Sequence, residues 1–403
     1  MSRFPKLTET FILNEMLAVE QEGVDIDIYP LQRERAALMH TEAPRWVARA
    51  QFQPWLSWNI LRSHWHVVCR RPGAYLAALA TLLWANLGSL RFFAGAIVFF
   101  PKAVHFACRM QATGVNHVHA HFASHPAAAA FVIHRLTGIP FSFTAHGSDL
   151  HRDRHMLAQK VAEAAFVVTI SDFNRDLIVA ECGEAYRDKI AVIHCGVDTA
   201  AFTPAHRSAS ASGRPGRLQI LCIGTLHEVK GQLHLVEACR RLDAQGVSLD
   251  CHFVGEGPDR VRLERQATTA GLADRVHFHG AKSRCEIIDL LRQADIVAAP
   301  SVPTRSGRRE GIPVVLMEAM ASGVPVVASR VSGIPELVED GETGLLVPPG
   351  DAAAVAAAIA RLAADDAFRG RLARAAREKV EREFDLHQNA CLLAQCIRAA
   401  EAA

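Results

Sequence analysis

The spacing of hydrophobic positions repeats a simple rhythm over the second half of this chain. LQILCIG (218–224) reads as a strand ending at glycine, and QLHLVEACRRL (232–242) has helical spacing. SLDCHFVGEG (248–257), RVHFHG (275–280), DIVAAPS (295–301), VPVVAS (324–329) and GLLVPPG (344–350) read as further strands. Helices are expected over 286–294 and ahead of residue 324. The first half carries the same alternation, with strands at 117–122, 140–147, 165–171 and 189–196. Helices fall between them at 126–138, around 155–165 and after 171. Strands alternating with helices predict βαβ units and parallel sheets covered on both faces. The expected class is α/β, with two Rossmann-like doubly wound domains and ligands at a cleft between the carboxyl ends of their strands. The Ser/Gly/Pro/Arg-rich span HRSASASGRPGR (206–217) reads as a linker. It separates an N-terminal domain over 1–205 from a C-terminal domain over 218–385, with a last helix over 386–403.

A doubly wound domain opens on a strand, whereas this chain opens on the loop and helix FPKLTETFILNEMLAVEQEG. The expectation is that Met1 is an internal methionine and that a first strand precedes it. The net charge of +2 changes nothing, but its distribution does. From Ala43 to Ser148 there is no Asp or Glu, while nine Lys and Arg residues and all five tryptophans lie there. Cationic side chains, Trp and long apolar runs suit the interface of an anionic membrane. The uncharged stretch from Pro72 to Leu90 is long enough to consider as a span, followed after Arg91 by FFAGAIVFF. Three readings stay open for 72–100: a span, a pair of buried helices, or a helix pair lying on the membrane. The ten cysteines form no CxxC pair, which argues against a disulfide framework or structural zinc and for a reducing compartment. The N-terminus has no apolar run ending in a small-residue cleavage site, so a secretory signal is not expected.

Candidate chemistry begins at EGIPVVLMEAMASG (310–323). Pro313 suits the first turn of a helix running from about Ile312 to Ala321 and stopping at Gly323. Glu310 then lies in the loop before the helix, and Glu318 near its second turn. The free N–H groups of Gly311, Ile312 and Val314 make an anion site. A carboxylate beside such a site needs neutral donors, and sugar and ribose hydroxyls are such donors. The alternative is a surface Glu310 and an exposed Glu318. In GTLHEVKG (224–231), Gly224 opens a glycine turn and Lys230 stands at a helix start, which is phosphate-binding logic. The P-loop pattern is not met, and the alternative is a solvated lysine.

HVHAHFASH (117–125) places His117, His119 and His121 on one strand face. Histidines so spaced can bind a catalytic metal, which gives the competing reading of a metal-dependent hydrolase. No downstream carboxylate and histidine cluster with ligand spacing completes such a site. Packing, or contact with an acceptor, is the alternative for His119 and His121.

GTLHEVKG, HFVGEGPD, REGIPVVLMEAMASGVPVVAS and SGIPELVEDGETGLLVPPGD occur in that order. Together they resemble the retaining, nucleotide-sugar-dependent glycosyltransferases of family 4, which have the GT-B fold. FPKLTETFILNEM, HAHF and FTAHGSDL resemble the subgroup that builds bacterial exopolysaccharides of the colanic acid type. The resemblance implies that Glu310 contacts the donor sugar's hydroxyls, Glu318 the ribose, and Lys230 the diphosphate with the turn at Gly311, Ile312, Pro313 and Val314. It places His146 near the acceptor and the scissile bond, with Asp149 as a second candidate. Thr225 stands where many relatives carry Arg, and Arg305, Arg308 or Arg309 would have to substitute. The implied reaction is front-face transfer without a metal or other cofactor, to a saccharide or polyprenyl-diphosphate-linked acceptor. The implied setting is the cytoplasmic face of the cell membrane, with no nucleic acid as partner. The last helix is expected to pack back on the N-terminal domain. A non-catalytic scaffold of the same fold is the remaining alternative.

Overall fold

The computed structural model describes residues 1–5, 10–34, 43–151, 153–204 and 216–402. It divides into two units, Met1–His194 with Ala390–Ala403, and Cys195–Asn389. The division falls ahead of the expected linker, most of which (206–215) lies outside the described residues.

In the first unit, strand β1 (Arg3–Phe4) pairs in parallel with β2 (Gln32–Arg33) on either side of helix α1 (Thr10–Gln21). A short strand therefore does stand ahead of the opening helix. Ile12, Leu13, Met16 and Val19 bury one face of α1, and Trp46 of α2 (Ala43–Arg49) packs in the same cluster as Ile12 and Leu13. Helices α3 (Trp58–Arg70), α4 (Pro72–Trp84) and α5 (Leu90–Thr113) follow. The sheet is all parallel in the order β3 (Val118–His121), β4 (Phe141–Ala145), β5 (Phe166–Thr169), β6 (Ile190–Val192). The crossovers are α6 (His125–Thr137), α7 (Leu157–Glu163) and α8 (Asp172–Cys182). Phe131, Phe141, Phe143 and Val167 are fully buried between sheet and helices.

The three helices α3 to α5 settle part of the membrane question. At 13 residues, α4 is about 20 Å long, too short for the ~30 Å hydrocarbon core. Helix α5 is the one described helix long and apolar enough to cross, and 56% of that window is buried inside the unit. What remains is a surface. Of the thirteen exposed large apolar residues among the described residues, eleven lie between Leu56 and Val98. On α3, Ile60, Ser63 and Val67 face inward while Trp58, Leu61 and Trp65 face out, beside exposed Arg62 and Arg70.

The second unit is a six-stranded parallel sheet. Its order is β12 (Leu345–Val347), β11 (Val326–Ser329), β10 (Ile296–Ala299), β7 (Leu218–Ile223), β8 (Leu249–Val254), β9 (Val276–Phe278). The order reverses at β7, between β8 and β10, which marks the switch point where open α/β sheets bind ligands. Helices α9 (Gln232–Ala244), α10 (Arg260–Thr269), α11 (Arg284–Gln293), α12 (Val314–Ala321), α13 (Ile334–Leu337), α14 (Ala352–Ala364) and α15 (Asp366–Glu383) cover it. Residues 195–204 also pack here. Val197 bridges to Asp385, and the Arg377 guanidinium of α15 donates to the carbonyls of Thr199, Phe202 and Ala321. Helix α16 (Leu386–Ala402) closes the chain, and its residues from Ala390 onward group with the first unit.

Candidate active site

The turn after β7 positions the first group. Gly224 donates its N–H to Val254 at 2.9 Å, which ties the ends of β7 and β8 together. A Cβ on Gly255 would lie 2.2 Å from the Gly224 carbonyl oxygen, so the approach requires glycine there. Gly231, at φ +67°, passes so close to Pro300 that a Cβ would meet its oxygen at 1.8 Å. Between these points the chain curls back and lays Lys230 over Gly224. Lys230 Nζ then meets Glu310 Oε2 at 2.8 Å, with both side chains mostly buried.

Glu310 ends the loop between β10 and α12. That loop is closed on itself, because Thr304 N–H donates to the Arg308 carbonyl at 2.9 Å and the Thr304 hydroxyl accepts from Arg308 N–H at 3.1 Å. The expectation for the next helix needs a correction. Helix α12 starts at Val314, and Pro313 is its cap with extended ψ of 125° rather than part of its first turn. The consequence is a longer irregular approach. Among the described residues, the N–H groups of Gly311, Ile312 and Val314 have no acceptor. Three free donors at a helix N-terminus, with the Lys230 ammonium bound to Glu310, make a positively biased surface suited to phosphate.

Glu318 lies in the second turn of α12 and is partly buried, so it is no exposed helix position. Burial pushes its carboxyl up to about 7, offset by Arg284. Arg284, at the start of α11, donates to Asp198 Oδ2 at 2.8 Å and lies over the Phe202 ring. Among the described residues no cation touches Glu318, so its charged form depends on hydroxyl donors. Thr225 is exposed on its turn, as are Arg305, Arg308 and Arg309 on theirs.

In the first unit the three strand histidines do share a face. His117 Nε2 and His119 Nδ1 both reach the Ser142 hydroxyl, at 2.6 and 2.8 Å, and His119 Nε2 reaches Thr144 at 2.9 Å. His121 Nδ1 stands 3.2 Å from His146 Nε2. Burial pushes His119 and His146 down to about 3, so all of this network is neutral at physiological pH. Asp149 has a holding role. Its two oxygens accept from the N–H groups of His146, at 3.0 Å, and Ala123, at 2.5 Å. Buried Lys160 donates to the carbonyls of Ala123 and His155.

The sequence reading missed Glu15. It comes from α1, upstream of the histidines, and its Oε1 lies 3.5 Å from His121 Nε2. Burial pushes its carboxyl up to about 8. The signal was present, because Glu15 falls between Ile12 and Val19 on the buried face of α1.

Two parallel-sheet units, one carrying a glycine turn, a lysine and a carboxylate-flanked helix start at its switch point, define a glycosyltransferase of GT-B type. Residues 61–201 match the family described as Glycosyltransferase Family 4, and residues 208–379 match Glycosyl transferases group 1. The chain belongs to this family. It is 32% identical over 398 residues to a Salmonella typhimurium protein named as a colanic acid biosynthesis glycosyltransferase, WcaL, covering 95% of this chain and 94% of that one. It is 38% identical over 249 residues to the amylovoran biosynthesis glycosyltransferase AmsK of Erwinia amylovora, covering 60% of each. Among solved structures, a Rickettsia africae glycosyltransferase superposes with TM-score 0.73 at 19% identity, over 99% of this chain and 97% of that one. Anabaena HepE, solved with UDP, superposes with TM-score 0.64 at 22% identity, over 74% and 82%. These likenesses bear out the α/β fold and the glycosyltransferase reading, and they set it above the hydrolase.

Proposed function

We propose that this glycosyltransferase moves a sugar from a nucleoside diphosphate sugar, with retention of configuration, to a lipid-linked oligosaccharide in exopolysaccharide assembly. The observation that carries the reading is the Lys230–Glu310 pair at 2.8 Å beside three free N–H groups. Lys230 and those N–H groups neutralise the diphosphate as charge builds on it, which is the dominant electrostatic contribution in such sites. Glu310 accepts hydrogen bonds from the donor sugar, and Glu318 from the ribose. The neutral His146 imidazole offers a hydrogen bond to the sugar or acceptor. The bond from the anomeric carbon to the phosphate oxygen breaks as the acceptor oxygen bonds that carbon on the same face. The departing diphosphate takes the acceptor's hydroxyl proton. Lys230 and the helix start supply the positive charge, so the transfer requires no metal. The names of WcaL and AmsK support the polysaccharide setting, and HepE, solved with UDP, supports a uridine donor.

The outward face of α3 to α5 supports docking on the inner face of the cell membrane, where a lipid-linked acceptor is found. Its tryptophans match the interface, and its arginines match anionic headgroups, with no acidic residue from Ala43 to Ser148 to oppose them.

The test is a thermal-shift panel of nucleoside diphosphates and their sugars, with chelator present. Ligands that bind the folded state raise the melting temperature by mass action. One base giving a clear shift, and a product retaining the donor's anomeric configuration by proton NMR, is the expected result. No shift with any nucleotide would overturn it.

A further inference from the structure

The donor-binding residues leave one chemically distinctive grouping unused. Glu15, His119 and His121 each bring a ligand atom within 4.8 Å of the other two. The 3.5 Å between Glu15 Oε1 and His121 Nε2 is close to the ~3.4 Å that separates two ligands each about 2.1 Å from a tetrahedral cation. We propose that Glu15, His119 and His121 form a binding site for one first-row divalent cation of the Zn²⁺ class.

The donor set selects the class. Two imidazoles and one carboxylate suit borderline cations. Mg²⁺ and Ca²⁺ ask for six or more oxygens, which this cluster does not offer. The surroundings already provide what metal-binding histidines need, namely a partner for the nitrogen that does not ligate. His121 presents Nε2 to Glu15 while its Nδ1 is held by His146 at 3.2 Å. His119 has a hydroxyl on each nitrogen, Ser142 and Thr144, so a cation would have to displace one of them while the other keeps the ring oriented.

Glu15 supplies the electrostatic reason. Its side chain is only 17% exposed, and among the described residues no Lys or Arg touches it. As a carboxylate Glu15 would face only the His121 imidazole, and a cation between Glu15 and the histidines would offset the cost of burying its charge. The same residues line a cavity of about 520 Å³ that also reaches Asp27 and Asn116. An occupied site would tie α1 to β3 next to His146. The inference stands on the first unit's own residues and is independent of the donor chemistry proposed above.

The full chain, stripped with chelator and then titrated with Zn²⁺, is expected to take up one equivalent with a raised melting temperature. Substituting Co²⁺ is expected to give visible absorption from a low-coordinate site. Losing an outer contact alone costs roughly 10–100-fold in metal affinity, so Glu15→Gln and His121→Ala should each weaken binding by at least about tenfold. Glu15→Gln is nearly isosteric and decides the matter if His121→Ala fails to fold. His252, His277 and His279 cluster in the other unit, so His252→Ala is the control and should bind like the parent chain. No saturable uptake, or unchanged affinity in Glu15→Gln, would overturn the proposal.

Discussion

Both units carry ion pairs, Arg135 with Glu163 in the first for example, but their candidate site residues differ in electrical state. In the second unit the groups are charged and paired: Lys230 with Glu310, and Arg284 with Asp198. In the first unit the buried histidines are neutral, and Lys160 spends its donors on carbonyls. Under the proposed reaction, the difference matches where charge develops in a sugar transfer. The leaving diphosphate accumulates negative charge and needs fixed positive groups. An acceptor hydroxyl needs orientation, which neutral donors and acceptors supply without competing for the diphosphate.

The largest test of that difference is Lys230→Ala. Losing the cation should lower turnover by about 10²–10³-fold in a chain that still folds, with some fall in melting temperature because Glu310 loses its partner, as read by steady-state kinetics and a thermal melt. Glu310→Ala should be equally inactive. Wild-type turnover in either variant would break the comparison.

A smaller effect sharpens it through Glu318. Its folded carboxyl is raised from 4.5 to about 7 by burial. The associated penalty is absent below pH 4.5, grows as pH rises, and is complete above pH 7. Glu318→Gln should therefore be more stable than the parent at pH 8, by an amount on the order of 2 kcal/mol, and equal to it at pH 4. The same variant should bind the nucleotide more weakly. Denaturant melts at the two pH values check the sign.

The smallest structural effect belongs to the apolar surface. Replacing Trp58 and Trp65 with Ala and Arg70 with Glu should leave stability within about 0.5 kcal/mol of the parent per site. Binding to vesicles containing anionic lipid should fall at least about tenfold, since each cation near such a surface contributes about 1 kcal/mol. Unchanged flotation with anionic vesicles would remove the membrane docking from the proposal.

How much of this was legible in the sequence depended on distance along the chain. The predicted strands of both sheets are found in place, because each is a contiguous apolar run between turn residues. Lys230, Glu310 and Glu318 were readable because short motifs fix their neighbours. Helix α10 was not read, since it is mostly polar and buries only Leu263 and Ala267. Arg284 was invisible, because its partner Asp198 is 86 residues away. Glu15 was readable from its place on a buried helical face, but it stands far upstream of the histidines, with no local motif to tie it to them. The start of α12 was placed two residues too early, because proline favours the first helical turn whereas Pro313 stands here as the cap.

The bridge between Val197 and Asp385 has a consequence for how the protein is made. Val197 donates to the Phe384 carbonyl and accepts from Leu386, the Thr199 hydroxyl donates to Asp385, and a Cβ on Gly196 would clash with the Leu386 backbone. The contact between Thr199 and Asp385 spans 186 residues. The second unit thus begins with a segment whose partner is translated 186 residues later, and the first unit waits for Ala390–Ala403. Contacts of such long range slow folding, because the chain between them must be ordered before they repay it. On the ribosome each sheet can form early, but neither unit is closed until the last helix has emerged.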